Sequence, residues 1–400
     1  MKREEQVTQC ANGHEKVFGK RPEGLVSVPG RINLIGEHTD YTEGLSLPMA
    51  INRWTIVAYS KRHDEKIKVY SKSFSLYECS LKDLKGPLPQ ELWQKYIYGA
   101  LSLFHESQAL KNGCSLYIES SIPLGKGLSS SASLELCVLH SLKTLYQSSL
   151  SDLDLISLSQ KIEHQFLGLQ SGLLDQFGCH YSKPHYFQMV DFETLKHEYF
   201  KLPPNNDQFC WVLVDSKGTR SLAEGEYQKR VNQCHEALMI LKQKGKSSSY
   251  RTITKENLKD LRAWPLLLKR IRHMVEENDR AQKAKTFLIE GAFDKLGGLL
   301  NQSHESLRNL YEVSTLELDF LQEESLKRGS YGSRMLGGGF GGCTLNLVPK
   351  EKAESFCQEM ITCFYQRFGM QTESIILETV GGTRFYKDDF LVGEVRLSTR

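Results

Sequence analysis

The sequence lacks any apolar run long enough to span a bilayer, and its first five residues lack the apolar core of a signal peptide. It also lacks a block of basic residues, and a net charge of +3 over 400 residues is too small to indicate nucleic-acid binding. We therefore expect a cytoplasmic protein that binds neither membranes nor nucleic acid. We expect it to be a monomer.

The ten cysteines are scattered and include no Cys-x-x-Cys pair. Several lie in apolar runs, where reduced thiols are commonly buried. A catalytic cysteine and a structural zinc site therefore have little support.

A chain of this length can bury one large core or form two fused domains. Strand-like and helix-like runs interleave without a steady alternation, which predicts an α+β fold in two lobes. We place the boundary near 185–205, giving domains 1–190 and 191–400. Strands are predicted at 25–28, 54–60, 66–71, 115–120, 211–215 and 343–348, with two more within 185–201. Helices are predicted at 131–146, 151–169, 222–244, 256–277 and 280–307.

The most informative segment is residues 30–41, Gly-Arg-Ile-Asn-Leu-Ile-Gly-Glu-His-Thr-Asp-Tyr. A short apolar strand breaks at Gly36 into a cluster of polar side chains, which is costly after a buried strand unless a polar group pairs with them. A polyhydroxylated ligand such as a sugar would do so. The alternative is a solvated turn with a local Asp or Thr cap.

A second segment, Pro-Leu-Gly-Lys-Gly-Leu-Ser-Ser-Ser-Ala-Ser at 123–133, predicts a phosphate-binding loop. Its glycines allow backbone N–H groups to approach an anion, and an amphipathic helix follows whose N-terminal end is positive. The alternative is a Gly/Ser linker. Neither 245–247 nor the glycines of 337–342 form a known nucleotide motif, because the former lacks the first Walker glycine and a strand follows the latter.

Two acids follow the loop, Glu163 in a predicted helix and Asp175 among apolar residues. Glu163 could complete a magnesium site with Ser131, and Asp175 could accept a proton from an attacking hydroxyl. Arg31 would then keep Asp175 ionised and steady a phosphoryl group. The alternatives are a solvated helix residue for Glu163 and a helix cap for Asp175.

Together these segments resemble the galactokinases, members of the GHMP family of small-molecule kinases. The motifs that carry the resemblance are 28–51, 123–135 and 332–344, and the likeness covers roughly residues 20–385. It implies a two-lobed GHMP kinase fold, with a mixed-sheet N-terminal lobe, an α/β-sandwich C-terminal lobe and the active site between them. The implied reaction is ATP-dependent phosphorylation of the anomeric hydroxyl of α-D-galactose.

The resemblance also implies roles for individual residues. Arg31 and Asp175 would be catalytic, and Mg²⁺ would be held by Ser131 and Glu163. Trp93 would lie near the adenine, although an ordinary amphipathic surface aromatic is the alternative. Sugar contacts are expected from Glu37, His38, Thr39, Asp40, Gly172 and Tyr227. The ATP phosphates are expected on Gly125, Lys126, Gly127, Leu128, Ser129, Ser130 and Ser131.

The chain departs from the family pattern at several positions: Thr42-Glu43, Lys95, Lys126, Ser171 and 217–220. Lys126 could add a cation beside the phosphates, and the changes at 42–43 and 217–220 leave the sugar open. Two other functions therefore remain to be weighed, a kinase for N-acetylgalactosamine or another hexose, and a catalytically inactive sugar sensor. Because the chain keeps 129–133 together with Arg31 and Asp175, the sequence favours an enzyme.

Overall fold

The computed structural model describes residues 2–218 and 225–387. The helices are α1 Arg3–Phe18, α2 Leu92–Ser107, α3 Ser130–Leu145, α4 Asp152–Phe166, α5 Leu174–Tyr181, α6 Glu226–Gln243, α7 Pro265–Glu290, α8 Phe293–Ser306, α9 Leu316–Lys327 and α10 Ala353–Phe368. The strands are β1 Gly24–Asn33, β2 Leu45–Ser46, β3 Pro48–Lys61, β4 Lys66–Ser71, β5 Leu76–Ser80, β6 Cys114–Ser120, β7 Tyr186–Asp191, β8 Lys196–Lys201, β9 Phe209–Asp215, β10 Gly332–Met335, β11 Cys343–Pro349, β12 Ser374–Leu377 and β13 Arg384–Tyr386.

The predicted strands are confirmed, and several are longer than the sequence pattern indicated. The predicted division of the long helices is wrong. A single helix, α7, runs through 278–279 and ends at Gly291, whose φ of 69° suits a helix C-terminus. Pro265 occupies the first turn, where its missing N–H costs nothing. The start of the helix predicted at 222 lies outside the described residues, and α6 begins at Glu226.

The first lobe is built on a six-stranded mixed sheet in the order β13-β1-β3-β6-β4-β5, in which the β4–β6 pair is parallel. Helices α2, α3, α4 and α5 cover one side of this sheet, and their apolar faces form its core. The strand β1 therefore lies deep in the lobe, with every residue buried. Its C-terminal end carries the polar run that follows Gly36.

The second lobe is built on a four-stranded sheet in the order β10-β11-β9-β12. Successive side chains of a strand point to opposite faces, and both faces of β9 pack into apolar cores. Trp211 and Leu213 pack into a core that also contains Ile32 and Leu34 of the first lobe. Val212 and Val214 pack against α10. Apolar packing thus joins the two lobes behind the cleft between them.

The predicted boundary at 190/191 stays a prediction. It falls inside β7, which pairs with β8 in a three-stranded sheet β2-β7-β8. Strand β13 returns to the first lobe and pairs with β1. The Thr383 hydroxyl lies 2.8 Å from His180 Nδ1, and this ring in turn lies 3.1 Å from His140 Nε2, so a buried polar cluster fixes the returning segment.

Eight of the ten cysteines are buried, as their apolar surroundings predicted. Over residues 2–218 and 225–387, no helix combines the length and the apolarity needed to cross a bilayer.

Candidate active site

A cleft of about 770 Å³ lies between the lobes and brings together the three segments that the sequence singled out. Most of the predicted site residues line it: Arg31, Glu37, His38, Asp40, Gly125, Gly127, Leu128, Ser129, Ser130, Ser131, Glu163, Gly172, Asp175 and Tyr227. Thr39, Lys126 and Trp93 lie elsewhere.

Glu37 sits at the floor of the cleft and is 2% exposed. One carboxylate oxygen accepts hydrogen bonds from Arg334 Nη2 at 3.0 Å and from the Gly337 N–H at 2.8 Å. The other accepts from Asn33 Nδ2 at 3.0 Å. A solvated turn would leave these groups in water, so that alternative is wrong.

His38 adopts a left-handed backbone conformation with φ of 61°, a costly state that clusters at functional sites. Its Nδ1 lies 2.8 Å from the Tyr41 hydroxyl, which lies 2.7 Å from the Tyr311 hydroxyl. The Tyr227 ring packs 5.6 Å from the His38 ring. Burial, together with the nearby His273, lowers the pKa of His38 to about 3, so the imidazole is neutral at pH 7.

Asp40 and Gly172 meet in the lining of the cleft. Asp40 Oδ2 lies 3.4 Å from the Leu174 N–H, and any side chain at Gly172 would collide with the Asp40 carboxylate. Burial, reinforced by the charge of Asp175, raises the pKa of Asp40 to about 7. The structure thus explains why glycine stands at 172: it leaves room for this carboxylate.

Asp175 lies in the first turn of α5 and pairs with Arg31, as the sequence predicted. Arg31 Nε lies 3.0 Å from Asp175 Oδ1, and Nη2 pairs with the same oxygen. Arg31 Nη1 donates to the Gly127 carbonyl at 2.6 Å. The N-cap position of α5 is occupied by Leu173, so Asp175 is not the capping residue of its helix. The helix-cap alternative is therefore wrong, and Arg31 instead connects the acid to the loop that precedes α3.

The loop that precedes α3 has the backbone of an anion-binding turn rather than a linker. Gly125, Gly127 and Ser129 have φ of 73°, 79° and 57°, and α3 begins at the next residue. The loop is docked on β1, where the Arg31 N–H donates to the Leu128 carbonyl at 3.2 Å. A side chain at Gly30 would come 2.6 Å from that carbonyl oxygen, which explains this glycine.

Ser131 and Glu163 face each other across the start of α3, with Ser131 Oγ 3.4 Å from Glu163 Oε1. The Ser171 hydroxyl donates to the other carboxylate oxygen. Glu163 is 5% exposed, so the solvated-residue alternative is wrong. Burial, then the charge of Asp175, raises the pKa of Glu163 to about 7. A buried carboxylate beside a hydroxyl is an all-oxygen donor set that suits Mg²⁺.

Trp93 does not line the cleft. Its ring is 7% exposed and stacks on Phe74, with centroids 5.4 Å apart and an interplanar angle of 6°. This ring belongs to the core of the first lobe, while Lys95 and Tyr96 on the same helix line the cleft. Because the ring is buried, the surface alternative is wrong. A place for Trp93 beside an adenine stays a prediction, which its absence from the cleft lining does not support.

Thr39 and Lys126 also direct their side chains away from the cleft. Thr39 is fully buried, and its hydroxyl lies 2.9 Å from both the Gly36 and the Leu45 carbonyl oxygens. It shapes the turn instead of facing a ligand. Lys126 Nζ pairs with Asp215 at the end of β9.

Several residues that organise the site were not predicted as part of it. Arg334 is fully buried and holds Glu37, and Glu277 accepts from the N–H groups of Gly36 and Glu37 at 3.0 and 3.4 Å. Tyr311 completes the hydroxyl chain to His38. Arg334 lies in the motif 332–344 that carried the resemblance, and this position could have indicated a role in the site. The sequence contains no comparable indication for Glu277 or Tyr311.

The glycines of 337–342 allow close backbone approach, as predicted. Gly339 has φ of 82° and lies against the Val313 carbonyl, while Gly341 lies against Gly218. The strand β11 follows, so the dinucleotide motif is excluded here.

Comparison with known proteins defines the class first. The profile for the GHMP kinases N terminal domain matches residues 95–183, and that for the GHMP kinases C terminal matches residues 284–366. A mevalonate kinase from Methanococcus jannaschii, 18% identical, superposes with a TM-score of 0.63 over 89% of this chain and 98% of its own, and so shares the fold. The predicted α+β, two-lobed fold is confirmed, and the protein is a GHMP kinase.

The family within that class follows from closer relatives. The profile for the galactokinase galactose-binding signature matches residues 12–61. The galactokinase of Ligilactobacillus salivarius is 35% identical over 92% of this chain and 97% of its own length, and that of Thermotoga maritima is 35% identical over 86% and 95%. The Lactococcus lactis galactokinase, solved in complex with galactose, is 34% identical and superposes with a TM-score of 0.89 over 95% of this chain and 99% of its own. The chain belongs to the galactokinase family.

Proposed function

We propose that the protein transfers the γ-phosphoryl group of ATP to the anomeric hydroxyl of α-D-galactose, giving galactose 1-phosphate and ADP. The observation that carries the proposal is the position of Arg31, which pairs with Asp175 on one side and with the Gly127 carbonyl on the other. One side chain thereby joins an acid in the sugar half of the cleft to the loop in the phosphate half. This is the arrangement that in-line transfer between two bound substrates needs.

Asp175 is the group that we place at the reacting hydroxyl. Its carboxylate would accept the proton of the sugar hydroxyl, and Arg31 would stabilise the charge that develops on the transferring phosphoryl group. Arg31 is 4% exposed, so the field of its guanidinium acts in a nearly dry environment, where it is stronger than in water.

The sugar would be oriented by Glu37, His38, Asp40 and Tyr227 around Gly172. The neutral His38 ring and the Glu37 side chain are both fixed by protein partners before any ligand arrives. A sugar hydroxyl can both donate and accept, so it can pair with an imidazole and with a carboxylate at once. We place the stereochemical selection of the sugar on these side chains.

The ATP phosphates would lie on the N–H groups of Gly125–Ser131, at the positive end of α3. The Ser129 hydroxyl is buried without a hydrogen-bond partner among the described residues, which leaves it for a ligand at this point. Ser131 and Glu163 would hold Mg²⁺, and Ser171 would orient the Glu163 carboxylate. The ion supplies charge neutralisation at the phosphates when bound.

A cytoplasmic location and a monomeric state remain predictions from the sequence. The test of function is an ADP-release assay with Mg-ATP and four sugars: galactose, N-acetylgalactosamine, glucose and arabinose. We expect the highest kcat/KM with galactose. A higher value with N-acetylgalactosamine or another sugar would replace the substrate, and galactose binding without turnover of any sugar would mean a sensor.

A further inference from the structure

We propose that Lys126 acts across the cleft: by pairing with Asp215 it fixes the tip of the phosphate loop against the second lobe, in place of contacting the phosphates itself. The proposal rests on the proposed function, since it concerns the loop that we assign to ATP. It makes Lys126 and Asp215 positioning residues for nucleotide binding.

The pair joins one partly exposed and one buried group. The Lys126 side chain is 23% exposed and that of Asp215 is 5% exposed. Asp215 also accepts from Lys217 Nζ at 3.0 Å and from the Lys217 N–H at 2.9 Å. Two amines therefore face one carboxylate, and burial limits the screening of these charges by salt.

The second-lobe end of the pair is rigid. Asp215 is the last residue of β9, which is hydrogen-bonded on both sides, to β11 and β12. Its N–H donates to the Glu373 carbonyl at 3.0 Å, and its carbonyl accepts from the Thr372 hydroxyl. The carboxylate is thus presented from fixed backbone.

The loop end needs such a support. Lys126 lies between two glycines in left-handed conformation, Gly125 and Gly127, and the adjacent Leu124 is 61% exposed. Glycine loses more conformational freedom on ordering than any other residue. Arg31 holds the loop at Gly127 from the first lobe. Lys126 holds it from the second, so the loop is held from both lobes.

The direction of the Lys126 side chain distinguishes a role in supporting the loop from direct contact with the phosphates. Gly125 and Gly127 line the cleft, whereas the Lys126 amine points to Asp215 outside that lining. Because the Lys126 amine points away from the cleft, the neighbouring backbone N–H groups would bind the anion instead. If Lys126 instead served the phosphates, Asp215 would compete with them, and removing Asp215 would help ATP.

The test compares Lys126→Met, Asp215→Asn and the double variant by calorimetric titration of a non-hydrolysable ATP analogue with Mg²⁺. We expect each single variant to raise the Kd about tenfold and the double variant to stay within about twofold of either, because coupled partners are not additive. The two substitutions change the local charge in opposite directions. A change in the electrostatic attraction of ATP alone therefore cannot raise the Kd of both variants. Lys217→Met is the matched control, and we expect a change of less than about twofold.

The outcomes are distinct. A raised Kd for Lys126→Met with an unchanged or lowered Kd for Asp215→Asn would place Lys126 on the phosphates and overturn the proposal. Wild-type Kd values for both variants would overturn it as well. If the wild-type protein binds the analogue but turns over no sugar, the proposed function is wrong. The Kd values of the variants still show whether the Lys126–Asp215 pair supports nucleotide binding.

A second measurement covers the case in which Asp215→Asn does not fold, which loss of galactose binding would reveal. Hydrogen–deuterium exchange of the nucleotide-free protein reports on the peptide covering 123–128. We expect Lys126→Met to speed exchange there about tenfold, because a support of the loop is gone before any nucleotide binds. Unchanged exchange in the nucleotide-free state would overturn the proposal.

Discussion

The two halves of the cleft differ in how they are held before any substrate binds. On the side that we assign to the sugar, Glu37 and His38 are 2% and 4% exposed, and each already has protein partners. On the side that we assign to the phosphates, Arg31 and Lys126 hold the loop, but Leu124 is 61% exposed and Gly125 is exposed as well. Buried polar groups must be paired in advance, whereas exposed N–H groups can wait in water for an anion. We infer that the sugar half is built in advance, which means that its polar groups are already paired before a substrate binds. The N–H groups of the phosphate half are instead still exposed to water.

The largest expected effect is on kcat, and it comes from a substitution at the point where the two halves of the cleft meet. Asp175→Asn should lower kcat by about 10²–10⁴-fold, the usual contribution of a general base, because the amide cannot take the proton. Galactose affinity should stay close to wild type, since the pocket around Glu37 is untouched. The checks are steady-state ADP release and calorimetry with galactose.

The control for this variant is Asp207→Asn, which removes the charge of an exposed aspartate far along the chain. Near-normal turnover of Asp175→Asn would take Asp175 out of the mechanism. Loss of galactose binding would instead place it on the sugar itself.

The next effect tests whether the sugar half is built in advance. Arg334→Met leaves the Glu37 carboxylate buried without its cation, and breaking a buried pair in this way costs about 3–5 kcal/mol of unfolding free energy. Urea denaturation measures the loss. Lys327→Met, which breaks an exposed pair with Glu324, is the control and should cost less than about 1 kcal/mol. Equal stability of the two variants would contradict the view that Arg334 supports the pocket.

The pH dependence of stability sharpens the comparison through Asp40. Its folded-state pKa of about 7 lies above the ordinary value of 3.8, so the folded protein holds a proton that the unfolded chain has lost. The stabilisation is therefore present below pH 3.8 and disappears as the pH rises to about 7.

Asp40→Asn removes this titration, and the difference in unfolding free energy between wild type and variant isolates it. We expect wild type to lose stability relative to the variant by up to about 4 kcal/mol between pH 4 and pH 7. Unfolding curves at several pH values measure the difference. A difference that does not change with pH would show that Asp40 titrates normally.

The smallest effect concerns space on the sugar side. Gly172→Ala should displace the Asp40 carboxylate and weaken galactose binding about tenfold, equivalent to about 1.4 kcal/mol. Gly298→Ala in α8, where an added Cβ meets nothing within 4 Å, is the matched control. It should leave affinity unchanged and add about 0.5–1 kcal/mol of stability. Equal galactose affinity in both variants would mean that Gly172 does not set the position of Asp40.

The sequence predicted the segments of the site because their signals are local. The apolar alternation and the glycine break at 30–41, and the glycines before an amphipathic helix at 123–135, both follow from backbone requirements within a few residues. The pairing of Arg31 with Asp175 was also expected, from the chemistry of phosphoryl transfer and not from spacing.

What the sequence did not reveal depends on contacts between distant parts of the chain. Arg334 donates to the Leu34 carbonyl 300 positions away, and Glu277 accepts from a backbone N–H 241 positions away. The burial of Trp93 and its stacking on Phe74 are set by how α2 packs, which its own neighbours in sequence do not specify. The direction of the Lys126 side chain is likewise decided by Asp215, at the end of a strand in the other lobe.

The most direct test of the difference between the two halves is calorimetric titration of galactose into the nucleotide-free protein, repeated with a saturating non-hydrolysable ATP analogue and Mg²⁺. If the sugar half is built in advance, galactose binds without nucleotide, and the two Kd values agree within about threefold because little coupling energy is needed. Galactose binding that is detectable only after the nucleotide is bound would contradict this account.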